Sequence, residues 1–510
     1  MYSTVTTAII HGIDSVLVKV EADVSDGMPM FNMVGFLAAE VKEAKDRVRT
    51  ALRNSGYTLP VKRITVNISP ASIRKSGSGF DLPIAIAILA ALGAIESDRL
   101  VNVAMVGELS LNGELKNVNG VLSMVLAAKE AGIGEIIVPR QNFREASLVP
   151  DMEITPMDSL NDVMLYLTAG IKNDLGLEEN CIDEEQSFEY DFANINGQVL
   201  VRRACEIAAS GMHNFLMIGP PGAGKSMIAK SMPSILPPLT DDESIELSKI
   251  YSVSGLFGER ENLIDKRPFR SPHHTISING LTGGGTVPKP GEISLAHRGV
   301  LFLDELPEFQ KSTIEILRQP MEDKKISIVR VGGSFTFPAD FMLVGAMNPC
   351  PCGNYPDFKH CRCTNRQVMS YLGKISQPLL DRIDITVEVP KISFNDLSTS
   401  SANESSEEIR KRVVRTHTIQ MERFKGTKIH YNSQIPNSGL ERYCALGDEE
   451  QEYAKKMYDS MELTARSYHR ILKVARTIAD IEESKEIKVI HLKEAMCYRG
   501  LEKKYWESLI

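Results

Sequence analysis

The sequence predicts an α/β protein built on a phosphate-binding parallel core, with a smaller α+β unit before it and a helical region after it. Two local patterns and one global one carry that expectation. An apolar strand, Phe215 to Ile218, runs directly into Gly219-Pro220-Pro221-Gly222-Ala223-Gly224-Lys225-Ser226 and a helical start. A second run of buried-strand type, Val300 to Leu303, ends in the acid pair Asp304-Glu305. Around both, β-rich runs alternate with helical periodicity, as in layered α/β folds.

The 510 residues divide naturally into about three folded units at ~100–200 residues each. A charged fraction of 24% and an apolar fraction of 43% are globular values, which exclude wholesale disorder and fibrous repeats. The longest apolar stretch, Leu82 to Ile95, holds Pro83 and Gly93 and is too short to span a bilayer core of about 30 Å. The N-terminus shows no secretory pattern, so a cytoplasmic protein with no membrane partner is expected. Lys and Arg number 58 against 66 Asp and Glu, a net charge of −8, so any contact with nucleic acid must be local.

Residues 1–170 alternate strand-like runs (Ser15 to Val20, Arg63 to Ile68, Ile136 to Val138) with helical ones (Val41 to Asn54, Asp81 to Leu92, Leu122 to Ala131). Asn173 to Asp191 carries eight carboxylates and no Lys or Arg, so residues 171–192 read as an acidic linker. The phosphate-binding core follows over 193–395, a polar linker over 396–408, and helical periodicity over 409–510.

The glycine-rich turn matches G-x-x-x-x-G-K-[ST] in its required strand–turn–helix context. Its backbone N–H groups and the helix N-terminus suit phosphate, Lys225 suits the β/γ oxygens, and Ser226 suits Mg²⁺. Asp304 is then the second Mg²⁺ ligand and Glu305 the base for an attacking water. ATP with Mg²⁺ is the expected substrate. Asn348, at the end of the strand Phe341 to Ala346, offers an amide to orient that water.

These elements resemble the AAA+ ATPases, with Asn348 in the position of sensor 1. Leu379-Leu-Asp-Arg382-Ile-Asp-Ile385 looks like the arginine-finger segment, which implies a ring whose subunits share sites through Arg382. Downstream, Tyr468, Ile471, Leu472, Ala475, Ile478 and Ala479 form one apolar helical face. Arg466 at its start matches sensor 2 of a helical lid, and Arg470 is a second candidate.

Lys325 to Phe337, two β-rich runs around Gly332-Gly333, reads as a hairpin between the acid pair and Asn348. It resembles the pre-sensor-1 hairpin of the clade that contains magnesium-chelatase motors and minichromosome-maintenance helicases. With RPFRSPHH from Arg267, PKPGEISLAH from Pro288 and GVLFLDELPEF from Gly299, the chain is identified as similar to the magnesium-chelatase-like YifB/ComM family. Val106 to Leu115 and Ala127 to Pro139 look like the Lon-protease C-terminal fold. Gly79 and Leu122 stand where a Lon-type Ser nucleophile and Lys would be, so a non-proteolytic domain is expected.

The resemblance implies a homo-hexameric ATP-driven motor on DNA, a helicase or branch-migration translocase in recombination or natural transformation. Lys325, Arg330, Arg267, Arg270, His273, His274 and Lys289 are the candidate DNA contacts. A chelatase-type motor and a protein-remodelling ring are the alternatives. The integrin-type match Asp396 to Ser400 sits in a polar linker and lacks the domain such a site needs. Cys350, Cys352, Cys361 and Cys363, with His360 between the pairs, suit a closed zinc site; four reduced thiols in a loop are the other reading.

Overall fold

The computed structural model describes residues 1–172, 188–258, 263–330, 333–357, 359–391, 403–501 and 503–507. Most of the acidic stretch, the Asp396 to Ser400 match and Gly332 lie outside the described residues.

The N-terminal part is a seven-stranded mixed sheet in the order Met30–Val34, Arg63–Ser69, Asp14–Ser25, Tyr2–His11, Val103–Met105, Glu135–Pro139, Glu153–Met157. Tyr2–His11 and Asp14–Ser25 pair antiparallel across a tight turn in which Gly12 takes φ +74°, a region favourable to glycine. Helix Ala39–Asn54 buries Val41, Ala44, Val48, Ala51 and Leu52, one stripe at helical spacing. Helix Asp81–Ala91 is apolar all round and lies inside the core, as such a helix must. Its buried Asp81 carboxylate is gripped by Arg47 Nε at 2.8 Å and Nη2 at 2.9 Å and accepts the Leu109 N–H at 3.2 Å.

The second sheet is parallel throughout, in the order Phe269–Arg270, Val300–Leu303, Met342–Met347, Phe215–Ile218, Ile385–Glu388. Every residue of Val300–Leu303, Met342–Met347 and Phe215–Ile218 is buried, which explains their continuous apolar runs. Alternate side chains face opposite layers. Phe215, Met217, Phe302 and Val344 pack with helices Val199–Gly211, Lys225–Ile235 and the C-terminal helices Ser406–Arg423 and Ala465–Ile481. Leu216, Ile218, Leu303 and Leu343 face a separate core built from Leu306, Phe309, Phe337 and Leu379.

The hairpin is present as Lys325–Arg330 paired antiparallel with Gly333–Pro338. The N-terminal fold docks beside it: His11 stacks on Phe335 with centroids 5.0 Å apart. Gly120 N–H also donates to Ser252 O at 3.1 Å on helix Asp241–Ser254. Among the described residues no helix is long and apolar enough to cross a membrane.

Candidate active site

Three parallel strands deliver the site from their carboxyl ends, where α/β sheets place their ligands. Phe215–Ile218 leads into the glycine turn; Gly222 and Gly224 take φ +75° and +86°, and helix Lys225–Ile235 begins at once. A Cβ on Gly219 would stand 2.2 Å from Val389 O, so the turn needs glycine there. Val300–Leu303 supplies Asp304, whose Oδ2 accepts the Ser226 hydroxyl at 2.6 Å. Met342–Met347 supplies Asn348, whose Oδ1 accepts Lys225 Nζ at 3.1 Å. Lys225 donates as well to Gly219 O at 2.7 Å and Pro220 O at 2.9 Å. Burial lowers the Lys225 ammonium below its ordinary value, and the charges of Asp304 and Glu305 work against that shift.

Glu305 sits at the mouth of this network. Its φ of +50° turns it out of the strand, and its N–H donates to Asp304 Oδ1 at 2.9 Å. Its carboxylate is 59% exposed and lies 3.8 Å from His274 Nδ1. His274 follows the edge strand Phe269–Arg270 and meets Phe309 edge-on. Asp304, Ser226, Lys225, Asn348 and Glu305 therefore share one place.

The arginines stand apart from it. Arg382 is 6% exposed; its guanidinium donates to Pro378 O at 2.5 Å and lies 2.5 Å from Glu322 Oε1. Arg466 is exposed in the first turn of helix Ala465–Ile481. Arg470 forms an ion pair with buried Asp384 and donates to Arg382 O at 2.9 Å. Two of the candidate DNA contacts need correction. Arg267 is buried, bonded to Glu243 and Tyr431 at 2.9 Å each, and Arg270 is bidentate to Glu292 at 2.7 Å. Both tie the segment around residues 267–270 into the fold, whereas Lys289, Lys325 and Arg330 are exposed.

Family models described as magnesium chelatase subunit ChlI match residues 191–397 and 20–142, and its C-terminal model matches residues 403–499. Competence protein ComM of Haemophilus influenzae is 43% identical over 496 residues, 96% of each chain. Uncharacterized protein YifB of Salmonella typhimurium is 40% identical over 502 residues, 97% of each chain. This chain belongs to the magnesium-chelatase-like YifB/ComM family. Its parallel core is that of an AAA+ motor, a class that uses ATP and Mg²⁺.

The N-terminal fold of this YifB/ComM-family chain is similar to Lon protease of Chloroflexus aurantiacus, 26% identical over 161 residues, 29% of this chain and 19% of that protein. Gly79 packs on Val118, and Leu122 is buried with its N–H bonded to Glu145. Lys75 is buried, and its ammonium donates to the Pro70 carbonyl.

Cys350, Cys352, Cys361 and Cys363 converge, with their sulfurs within 4.8 Å of one another. His360 is turned to the surface, its side chain 73% exposed and its Nδ1 2.6 Å from Asp357 Oδ2. Two residues at the nucleotide site were not singled out from the sequence. Gln198 Nε2 donates to Ala223 O of the glycine turn at 2.8 Å, while its buried Oε1 has no protein partner. Tyr371 is buried, and its hydroxyl is pushed up by burial and by the charges of Glu308 and Glu305. Neither lies in a motif; an isolated Gln or Tyr carries no local signal.

Proposed function

We infer that this protein is an ATP-hydrolysing ring motor that acts on DNA. What supports hydrolysis is the joined set Lys225, Ser226, Asp304 and Asn348 with Glu305 at its edge. In this reading the glycine-turn N–H groups and Lys225 bind the ATP phosphates, and Ser226 and Asp304 hold Mg²⁺. Bound there, Mg²⁺ neutralises charge that develops on the phosphoryl oxygens. Glu305 takes the proton of the attacking water, and the Asn348 amide orients that water. Arg382 leaves Glu322 to reach the nucleotide of a neighbouring subunit, and Arg466 answers from a helical lid. The four thiols hold a second metal, Zn²⁺. A hexameric, cytoplasmic motor follows from the same family likeness.

The DNA assignment rests on the exposed cations Lys325 and Arg330 of the hairpin and Lys289 of the segment before it, and on the relative named a competence protein. Branch migration in recombination or transformation is the activity that fits a ring gripping branched DNA. Incubation with a labelled four-way junction tests it. Strand products that require hydrolysable ATP are expected; intact ATP turnover with no product on any branched or forked DNA would contradict a translocase. The chelatase-type reading, favoured by the match to magnesium chelatase subunit ChlI, predicts instead a turnover indifferent to DNA and raised by a porphyrin-handling partner.

A further inference from the structure

The cysteine cluster is placed to do more than hold its own segment together. The sulfur separations are 3.4 Å for Cys350–Cys352, 3.8 Å for Cys350–Cys361 and 3.6 Å for Cys352–Cys361. A tetrahedral Zn²⁺ with Zn–S bonds of about 2.3 Å needs sulfurs about 3.8 Å apart, whereas a disulfide needs about 2.05 Å. None of the four forms a disulfide, and these three separations are close to those of a metal tetrahedron, with Cys363 within 4.8 Å of the others. Nearby donors support them: Tyr355 N–H points at Cys350 Sγ at 3.4 Å, and the Asn354 side-chain amide donates to the Cys352 carbonyl at 3.2 Å.

Two links tie this cluster to the nucleotide site. Cys350 follows Asn348 by two residues, so the first metal-binding arm is the immediate continuation of the segment that presents the Asn348 amide to Lys225. Gly353, directly after Cys352, is buried at φ +79° against the glycine turn. A Cβ added there would stand 2.3 Å from Pro221 Cδ and 3.6 Å from Pro221 N. The cluster therefore touches both walls of the site, the phosphate turn on one side and the root of Asn348 on the other.

We propose that Zn²⁺ bound by Cys350, Cys352, Cys361 and Cys363 is a positioning clamp for ATP hydrolysis, fixing Asn348 and bracing the phosphate turn through the Gly353–Pro221 contact. This rests on the ATP-hydrolysis reading above. The metal takes no part in the chemistry; it sets the angle at which the amide meets the water. Its loss reduces kcat by about 10–100-fold, the usual effect of removing outer-shell support. ATP affinity falls less than kcat, because the phosphate-binding N–H groups belong to the glycine turn itself, which the clamp braces at Pro221 alone.

The test uses the full chain and measures metal content, ATP affinity and turnover separately. Purified protein contains one zinc per chain, and Co²⁺ in its place gives the intense absorption of a tetrahedral thiolate site. Removing zinc with a chelator, or changing Cys363→Ser, lowers kcat more than it lowers ATP affinity, and adding zinc back to the chelated protein restores kcat. Gly353→Ala separates clamp from metal: it keeps the zinc and loses turnover. Protein with no zinc after expression in zinc-rich medium would overturn the metal site. Stoichiometric zinc whose removal leaves kcat unchanged would overturn the clamp, as would a Gly353→Ala variant with full turnover. Zinc-loaded protein that does not hydrolyse ATP at all would overturn the hydrolysis reading, and the clamp with it, while the metal count stood.

Discussion

Lys225 illustrates how much one side chain decides. It is buried and held by two turn carbonyls and Asn348. Lys225→Ala removes ATP binding, which equilibrium binding of a fluorescent ATP analogue reads directly. Glu305→Gln behaves differently: the phosphate contacts survive and the base is lost, so ATP stays bound while turnover drops by about 10²-fold or more. Wild-type turnover in Glu305→Gln would transfer the role of base to another residue. These residues were legible because contiguous motifs encode them. Gln198 and Tyr371 were not, since each stands at or on a helix outside the motifs and only the fold brings it to the site. Arg267 misled for the same reason: its partners Glu243 and Tyr431 lie far along the chain, and without them it reads as a free surface cation.

At the level of elements, periodicity was a reliable guide where burial is one-sided or complete. The strand Phe215–Ile218, the helix Ala39–Asn54 and the hairpin Lys325–Arg330 with Gly333–Pro338 all follow the pattern of their apolar residues. Tyr2–His11 was not anticipated, although Ser3, Val5 and Thr7 alternate inward as in a half-buried strand; two of those three inward residues are polar, so the run shows little apolar periodicity. Ion pairs hold the elements behind the site together. Helix Asp241–Ser254 offers Glu246 to Arg298 at 3.1 Å and to His297 at 2.9 Å. Burial would raise the Glu246 carboxyl, but His297 and then Arg298 outweigh it and hold it down at about 2, against an ordinary 4.5. A carboxylate depressed on folding stabilises the native state above its unfolded value, and that contribution is lost as pH falls from about 4.5 towards about 2. Thermal melts of the wild type should therefore drop across that window more steeply than those of Glu246→Gln. Parallel curves would contradict the assignment.

For the whole molecule, the proposed role of Arg382 predicts assembly. Its guanidinium is bound to Glu322 of its own chain, and in the proposed ring it would act on a neighbour's nucleotide. Arg382→Ala leaves ATP binding nearly intact and cuts turnover. Mixing Arg382→Ala subunits with Glu305→Gln subunits restores part of the rate, because some interfaces then pair an intact Glu305 with an intact Arg382. No recovery at any mixing ratio would argue that sites are not shared.

The central claim, a motor driven by ATP on DNA, is tested most directly by the ATPase rate with and without nucleic acid. Single-stranded or branched DNA should raise turnover, and the stimulation should weaken as salt rises, since cationic side chains release counterions on binding. Reversing Lys325 and Arg330 to Glu should remove the stimulation and spare basal hydrolysis, because the hairpin stands outside the Lys225–Asp304 network. Equal rates with no DNA, single strands, duplex and four-way junctions, together with no mobility shift at low salt, would contradict the DNA motor and leave an ATP-driven ring with another client.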